Sequence, residues 1–207
     1  MTDTIKAVLF DFGGVIAEEG FREGLLAIGR KNELDPEQFL RTADELVHDT
    51  GYVTGKADES EYWEAVRRRT HVSGADEELR REILGRFVLR PWMLSLSEML
   101  RTQDTITAVL SDQTNWLDEI DQRTPFLHHF DLVYNSYYLG MSKREALIFD
   151  IVCAALDMQP AETLFIDDNP ENVKRASDRG LAVITYRDEP SFREALGKFF
   201  PLLPFLL

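Results

Sequence analysis

Five short runs of apolar, largely β-branched residues constrain this chain more than anything else in it: Ala7–Phe10, Ile106–Leu110, Leu132–Tyr134, Thr163–Ile166 and Ala182–Thr185. Each is bounded by turn or polar residues. Near-continuous apolarity is what a strand needs when both faces of a parallel sheet are covered. Helical patterns separate the last four. Ala146–Leu156 carries apolar residues at helical spacing, and Asn169-Pro170-Glu171 offers an N-cap residue followed by proline at the first helical position. Strands alternating with helices predict an α/β fold built on a doubly wound, Rossmann-like parallel sheet.

One stretch breaks the alternation. From Ala17 to Leu94 no strand pattern appears, only helix signals. Asp35-Pro36-Glu37-Gln38 and Asp58-Glu59-Ser60-Glu61 read as capped helix starts. Phe39, Ala43, Leu46 and Val47 then fall on one face, as do Tyr62, Val66 and, further on, Ile83, Phe87 and Val88. The expected organisation is a core domain of residues 1–16 and 95–207, with a small helical domain of residues 17–94 inserted after the first strand. Arg67-Arg68-Arg69 reads as a solvated helix face.

Composition narrows the partners. The 207 residues include 37 acidic and 23 basic side chains, a formal charge of −14. Nucleic acid demands clustered Lys and Arg, and an anionic membrane surface is equally disfavoured. A small anionic substrate is still compatible, because a site can be locally positive in an acidic protein. The single cysteine, Cys153, lies in an apolar stretch and reads as a core residue. Met1–Lys6 has no basic flank, and no run approaches the ~20 apolar residues of a membrane span, so a cytoplasmic location is expected. The apolar tail Phe199–Leu207 is expected to pack on the core or on a second subunit, which leaves a homodimer open.

In open α/β sheets, ligands bind beyond the carboxyl ends of the strands. The polar residues at those ends are Asp11, Ser111 with Asp112, and the pair Asp167-Asp168; Lys143 stands at the start of the helix between the third and fourth strands. Converging carboxylates repel one another, and a hard divalent cation such as Mg2+ removes the conflict. Asp11 then has the chemistry to attack phosphorus and form an aspartyl phosphate. Ser111 and Lys143 can hold phosphoryl oxygens, and Gly13 and Gly14 let the backbone approach a metal. Singly, each residue has a plainer reading, as a strand end, a solvated acid or a surface lysine; the ordered combination carries the argument.

That combination resembles the haloacid dehalogenase (HAD) superfamily. Its first motif appears as Val8-Leu9-Phe10-Asp11-Phe12-Gly13-Gly14-Val15, the second as Ala108-Val109-Leu110-Ser111, the third as Gly140-Met141-Ser142-Lys143, and the fourth as Phe165-Ile166-Asp167-Asp168-Asn169-Pro170-Glu171-Asn172. Tyr52-Val53-Thr54-Gly55-Lys56 followed by Tyr62-Trp63 is similar to the helical cap of the branch that includes small sugar-phosphate phosphatases. The resemblance implies a HAD-type core with a helical cap and a Mg2+-dependent phosphatase acting on a small phosphorylated metabolite. Asp11 would be nucleophile and metal ligand, and the backbone carbonyl of Gly13 a second ligand. Asp168 would bind the metal directly, and Asp167 through water or through Lys143. Ser111, Asp112 and Lys143 would bind the substrate phosphate, Asn172 would brace the acidic loop, and the cap would exclude water. Tyr52, Trp63 and Arg67–Arg69 hint at a polar, partly aromatic substrate pocket.

The chain departs from the family pattern at Gly13, where the family carries an aspartate that protonates the leaving group and then activates water. A positioned acid/base contributes ~10²- to 10⁴-fold in rate. Either the leaving group needs no such help, or Glu18 or Glu19 substitutes, or the chain binds phosphorylated ligands with little turnover. A dehalogenase, which attacks carbon with the same aspartate, also lacks the second acid, but it uses no metal and no double aspartate. A phosphomutase needs the missing proton shuttle even more. Arg144 stands where the family usually has proline after the lysine.

Overall fold

The structure, a computed structural model, describes residues 4–203. In chain order these form β1 (Ala7–Phe10), α1 (Gly20–Lys31), α2 (Pro36–Asp49), α3 (Glu59–Thr70), α4 (Asp76–Leu84), α5 (Pro91–Arg101), β2 (Ile106–Ser111), α6 (Trp116–Arg123), β3 (Leu132–Asn135), α7 (Ser136–Leu139), α8 (Leu147–Ala155), β4 (Thr163–Asp167), α9 (Pro170–Asp178), β5 (Ala182–Thr185) and α10 (Glu189–Gly197). All five strands are parallel, in the order β3-β2-β1-β4-β5. β1 pairs with β2 on one side and β4 on the other, so the chain order reverses there, and a crevice opens at its carboxyl end.

The sheet is covered on both faces, as the apolar runs require. Ala7, Leu9, Ala108, Leu110 and Phe165 pack under Phe149, Val152 and Cys153 of α8. Val8, Phe10, Val109, Leu164 and Ile166 face the opposite layer, with Met93, Leu96 and Leu100 of α5 and Leu196 of α10. This two-face cover is why all four residues of β1 are buried. β3 is an edge strand and leaves Leu132 and Val133 partly exposed. Of the apolar tail, Phe200 and Leu203 are buried against the core while Leu202 is 87 % exposed; positions 204–207 lie outside the described residues.

Helices α1 to α4 form the strand-free stretch. Asp35 accepts from the Gln38 N–H to cap α2, and Asp58 and Glu61 close a reciprocal capping box at α3. Phe39, Ala43, Leu46 and Val47 are buried on one face of α2. The chain enters and leaves this layer side by side: Glu18 N–H donates to Val88 O at 2.9 Å, and Arg90 N–H to Ile16 O at 2.8 Å. Helix α5, which begins inside the 17–94 span, lies against β2. Two expectations change. α4 stops at Leu84, so Phe87 and Val88 follow it as linker; Phe87 is buried on Phe12, but Val88 is 60 % exposed. Tyr52 and Trp63 are not pocket residues: both are fully buried, in an aromatic cluster with Tyr62 and Trp116. Their polar atoms are satisfied, Tyr52 OH by Asn115 at 2.8 Å and Trp63 Nε1 by Glu59 at 3.2 Å. Arg67 turns to Gly74 O and Asp76, and Arg68 to Glu64.

The cluster joins the helical layer to the core, so Trp63→Ala should cost about 3–5 kcal/mol of unfolding free energy, read by chemical denaturation. Trp63→Phe should weaken the fold less and leave any substrate KM unchanged. A KM that moves while stability stays put would return Trp63 to the substrate pocket.

Candidate active site

A cleft of about 800 Å3 opens at the carboxyl end of β1, between the sheet and the helical layer. That is the size of a small-molecule site. Asp11, Ser111, Asp112, Lys143, Asp168 and Asn172 all reach it, from four separate segments of the chain.

Asp11 follows β1 directly and its N–H donates to Ile166 O at 2.9 Å, which continues the ladder one step past the strand. Its Oδ1 accepts from the Phe12 N–H at 2.7 Å and from Lys143 Nζ at 2.8 Å. The loop behind it is tight. Gly14 sits at φ +77°, and a Cβ there would lie 2.2 Å from Asp168 Oδ2, so only glycine fits. Arg90 clasps the same loop, with Nη1 donating to Gly14 O, Val15 O and Ala17 O at 2.9, 2.8 and 2.7 Å.

Lys143 is 1 % exposed. It lies four residues ahead of α8, near the start of that helix as its sequence suggested. Asp112 holds it there: the Lys143 N–H donates to both Asp112 oxygens, at 2.9 and 3.1 Å. The ammonium then bridges Asp11 and Asp167, at 2.8 and 2.7 Å. Asp167 is fully buried and fully engaged, because Asn169 N–H donates to Oδ1 at 2.7 Å and Asn172 Nδ2 to Oδ2 at 3.2 Å. Asn172 thus braces the acidic loop. Asp168, by contrast, borders the cleft. Ser111 closes β2, buried beside Asn135 of β3. Asn135 and Ser136 fix the loop after Ser111 through Thr114 O and Gln113 O, at 3.0 and 3.2 Å.

One oxygen each of Asp11, Asp167 and Asp168 lies within 4.8 Å of the others. Burial pushes the carboxyls of Asp11, Asp112 and Asp168 above the usual range, and the Lys143 charge only partly opposes it. Burial also works against the Lys143 ammonium, yet Asp11, Asp167 and Asp112 outweigh it and hold the lysine charged. Four carboxylates around one ammonium are short of positive charge. A divalent cation that prefers oxygen ligands fits that deficit and that donor set.

The helical layer contributes one wall of the cleft, through residues that were not foreseen. Phe21, Arg22, Arg41, Asp44 and His48 of α1 and α2 line it, and Arg144 reaches across to Asp44 at 3.5 Å. Arg67–Arg69, Tyr52 and Trp63 do not border it. His48 is driven down to about 4 by burial and by the Arg144 charge, so it is neutral at physiological pH. Of the two acids past the loop, Glu18 turns outward to Arg90 at 2.9 Å, while Glu19 borders the cleft, its carboxyl pushed up to about 6 by burial. Arg90 and the α2 residues carry no motif; only their position in the fold brings them here.

Known proteins resemble this chain over most of its length. Bifunctional epoxide hydrolase 2 of Rattus norvegicus is 27 % identical over 227 aligned residues, which take in 97 % of this chain but 40 % of the rat protein, so the chain spans well under half of that relative. D-ribitol-5-phosphate phosphatase of Bacteroides thetaiotaomicron is 25 % identical over 204 residues, covering 93 % of this chain and 97 % of that one. The crystal structure of a HAD family enzyme from Bacteroides thetaiotaomicron, in complex with magnesium and inorganic phosphate, superposes with a TM-score of 0.72 at 25 % identity, over 91 % of this chain and 98 % of the other. The family model for haloacid dehalogenase-like hydrolases matches residues 5–177. Since that match runs from the strand before Asp11 into the helix behind the Asp167–Asp168 pair, the chain belongs to the haloacid dehalogenase-like hydrolases.

Proposed function

We propose that this chain is a magnesium-dependent phosphatase that hydrolyses a small phosphomonoester through an aspartyl phosphate on Asp11. One observation carries the reading: Asp11 stands at the floor of the cleft with one oxygen fixed by Phe12 N–H and Lys143, and the other without a partner among the described residues. That is a carboxylate held for attack. Magnesium held by Asp11, the Gly13 carbonyl and Asp168, with Asp167 behind Lys143, would supply positive charge against the transferring phosphoryl oxygens. Lys143 offsets the same charge from the opposite side, and Ser111 donates to a phosphoryl oxygen. The Asp112 carboxylate is already taken by Lys143 N–H, so its contribution is to hold the lysine segment rather than to meet an anion directly. Helices α1 to α4 form a cap whose polar wall, Arg22, Arg41, Asp44 and His48, suits a hydroxylated substrate. The Bacteroides thetaiotaomicron relative, named for D-ribitol-5-phosphate, supports a sugar-type phosphoester.

The test is hydrolysis of p-nitrophenyl phosphate with magnesium and with EDTA, beside halide release from 2-chloropropionate. Turnover should appear with magnesium, vanish with EDTA, and produce no halide. Folded protein that is inert toward the ester would leave phosphate-ligand binding as the function; halide release without metal would leave dehalogenation.

A further inference from the structure

We infer that Glu19 is the proton donor and acceptor of the hydrolysis, its carboxyl standing in the space above Gly13; this deepens the phosphatase reading and rests on it. An ideal Cβ on Gly13 would lie 2.7 Å from Glu19 Oε2, with Phe87 Cε1 next at 3.6 Å. Gly13 itself is outside the left-handed region, so its backbone makes no demand for glycine. A side chain at position 13 would meet the Glu19 carboxyl group, which occupies that space and would have to shift.

Glu19 is held there by its position in the fold. It is the N-cap residue of α1, and its Oε1 accepts from the Arg22 N–H at 3.0 Å. One oxygen is therefore fixed on the helix terminus, and the other is directed over Gly13, two residues from the nucleophile. Glu18 cannot serve, because it pairs with Arg90 and is largely exposed. The other ionisable groups near Asp11 are engaged. Lys143 bridges two carboxylates, Asp112 holds the lysine backbone, Asp167 takes three donors, and Asp168 faces the cation site. Glu19 alone among them combines a fixed position, a place on the cleft wall and an oxygen free of hydrogen bonds among the described residues.

The step balances as follows. An Asp11 oxygen forms a bond to phosphorus as the phosphorus–oxygen ester bond breaks. The ester electron pair stays on the leaving oxygen, which takes the Glu19 proton and departs as the alcohol. Glu19, now a carboxylate, takes a proton from water while the water oxygen bonds to phosphorus. The Asp11–phosphorus bond breaks, its electron pair returns to the Asp11 carboxylate, phosphate leaves, and Glu19 is protonated again.

Glu19→Gln keeps the cap, since an amide oxygen still accepts from Arg22 N–H, and removes the proton. With magnesium, its kcat on β-glycerophosphate, an alkyl ester with a basic leaving group, should fall ~10²- to 10⁴-fold while the thermal midpoint holds. On p-nitrophenyl phosphate, whose leaving group needs no proton, it should release a burst of nitrophenolate equal to the enzyme and then stall, with phosphorylated Asp11 found by mass spectrometry of the acid-quenched protein. Returning the carboxyl to position 13 in Glu19→Ala/Gly13→Asp should recover part of the alkyl-ester rate. Wild-type turnover that survives Glu19→Gln, with no burst, overturns the assignment alone and leaves Glu19 a helix cap. Wild-type protein inert toward both esters overturns the phosphatase reading and the assignment with it.

Discussion

Asp11→Asn should remove turnover by about 10⁴-fold or more while leaving the fold intact, because charge stabilisation and binding remain but the attacking atom is gone. The amide oxygen can keep the position of Oδ1 and accept from both Phe12 N–H and Lys143 Nζ, now at 2.7 and 2.8 Å. The amide nitrogen then faces the cleft, where it cannot attack phosphorus. Asparagine also removes one buried negative charge from a cluster with too many, and burial already pushes the Asp11 carboxyl above its usual range. Without metal, the variant's thermal midpoint should therefore equal or exceed the wild type's. Measuring kcat on p-nitrophenyl phosphate together with a melt separates these effects. A rate within about a hundredfold of wild type would take the nucleophile's role from Asp11.

The sheet was legible in the sequence because both its faces are covered, so its strands read as apolar runs. β1 and β5 match their runs to the residue, while β2, β3 and β4 each continue one residue further, onto Ser111, Asn135 and Asp167. An apolar run ends at its first polar side chain, but a ladder of backbone hydrogen bonds does not, and two of the three extra residues, Ser111 and Asp167, belong to the candidate site. The cluster of Asp11, Lys143, Asp167 and Asp168 was legible because each member stands at a strand end or just ahead of a helix. The cap wall was not. On α2, Arg41, Asp44 and His48 are the ordinary polar face of an amphipathic helix, and only the tertiary packing turns that face over Asp11. Tyr52 and Trp63 misled for the opposite reason: large amphipathic rings suit a pocket rim and a core equally, and here satisfied polar atoms admit them to the core. Glu18 and Glu19 are adjacent and chemically alike; Arg90, distant in sequence, is what separates them.

Lys143→Met should produce the largest loss of stability of any single change at the site. The two side chains are similar in length, but methionine leaves Asp11, Asp167 and Asp112 without the ammonium that now lies 2.8 and 2.7 Å from the first two. Removing one member of a buried ionic cluster costs about 3–5 kcal/mol, because the charges left behind stay buried. For a chain of this size that corresponds to a midpoint roughly 6–20 °C lower. Asp167 would keep its bonds from Asn169 N–H and Asn172 Nδ2, so the loop should survive in part. Magnesium should raise the midpoint more in Lys143→Met than in wild type, since the stranded carboxylates then have only the metal to offset them. Activity should not return with it. The lysine's share of phosphoryl charge stabilisation is lost, ~10²- to 10³-fold in kcat, and the cation cannot occupy both positions. Lys143→Arg should fail as well, because a planar guanidinium cannot take the place of a compact ammonium in a slot that leaves Lys143 1 % exposed. Melts of the three proteins with magnesium and with EDTA decide the matter. An unchanged midpoint in Lys143→Met would mean that the carboxylates do not need the lysine to fold. A larger magnesium effect in the variant, without recovered activity, would mean that one buried ammonium holds the site together and also supports the chemistry.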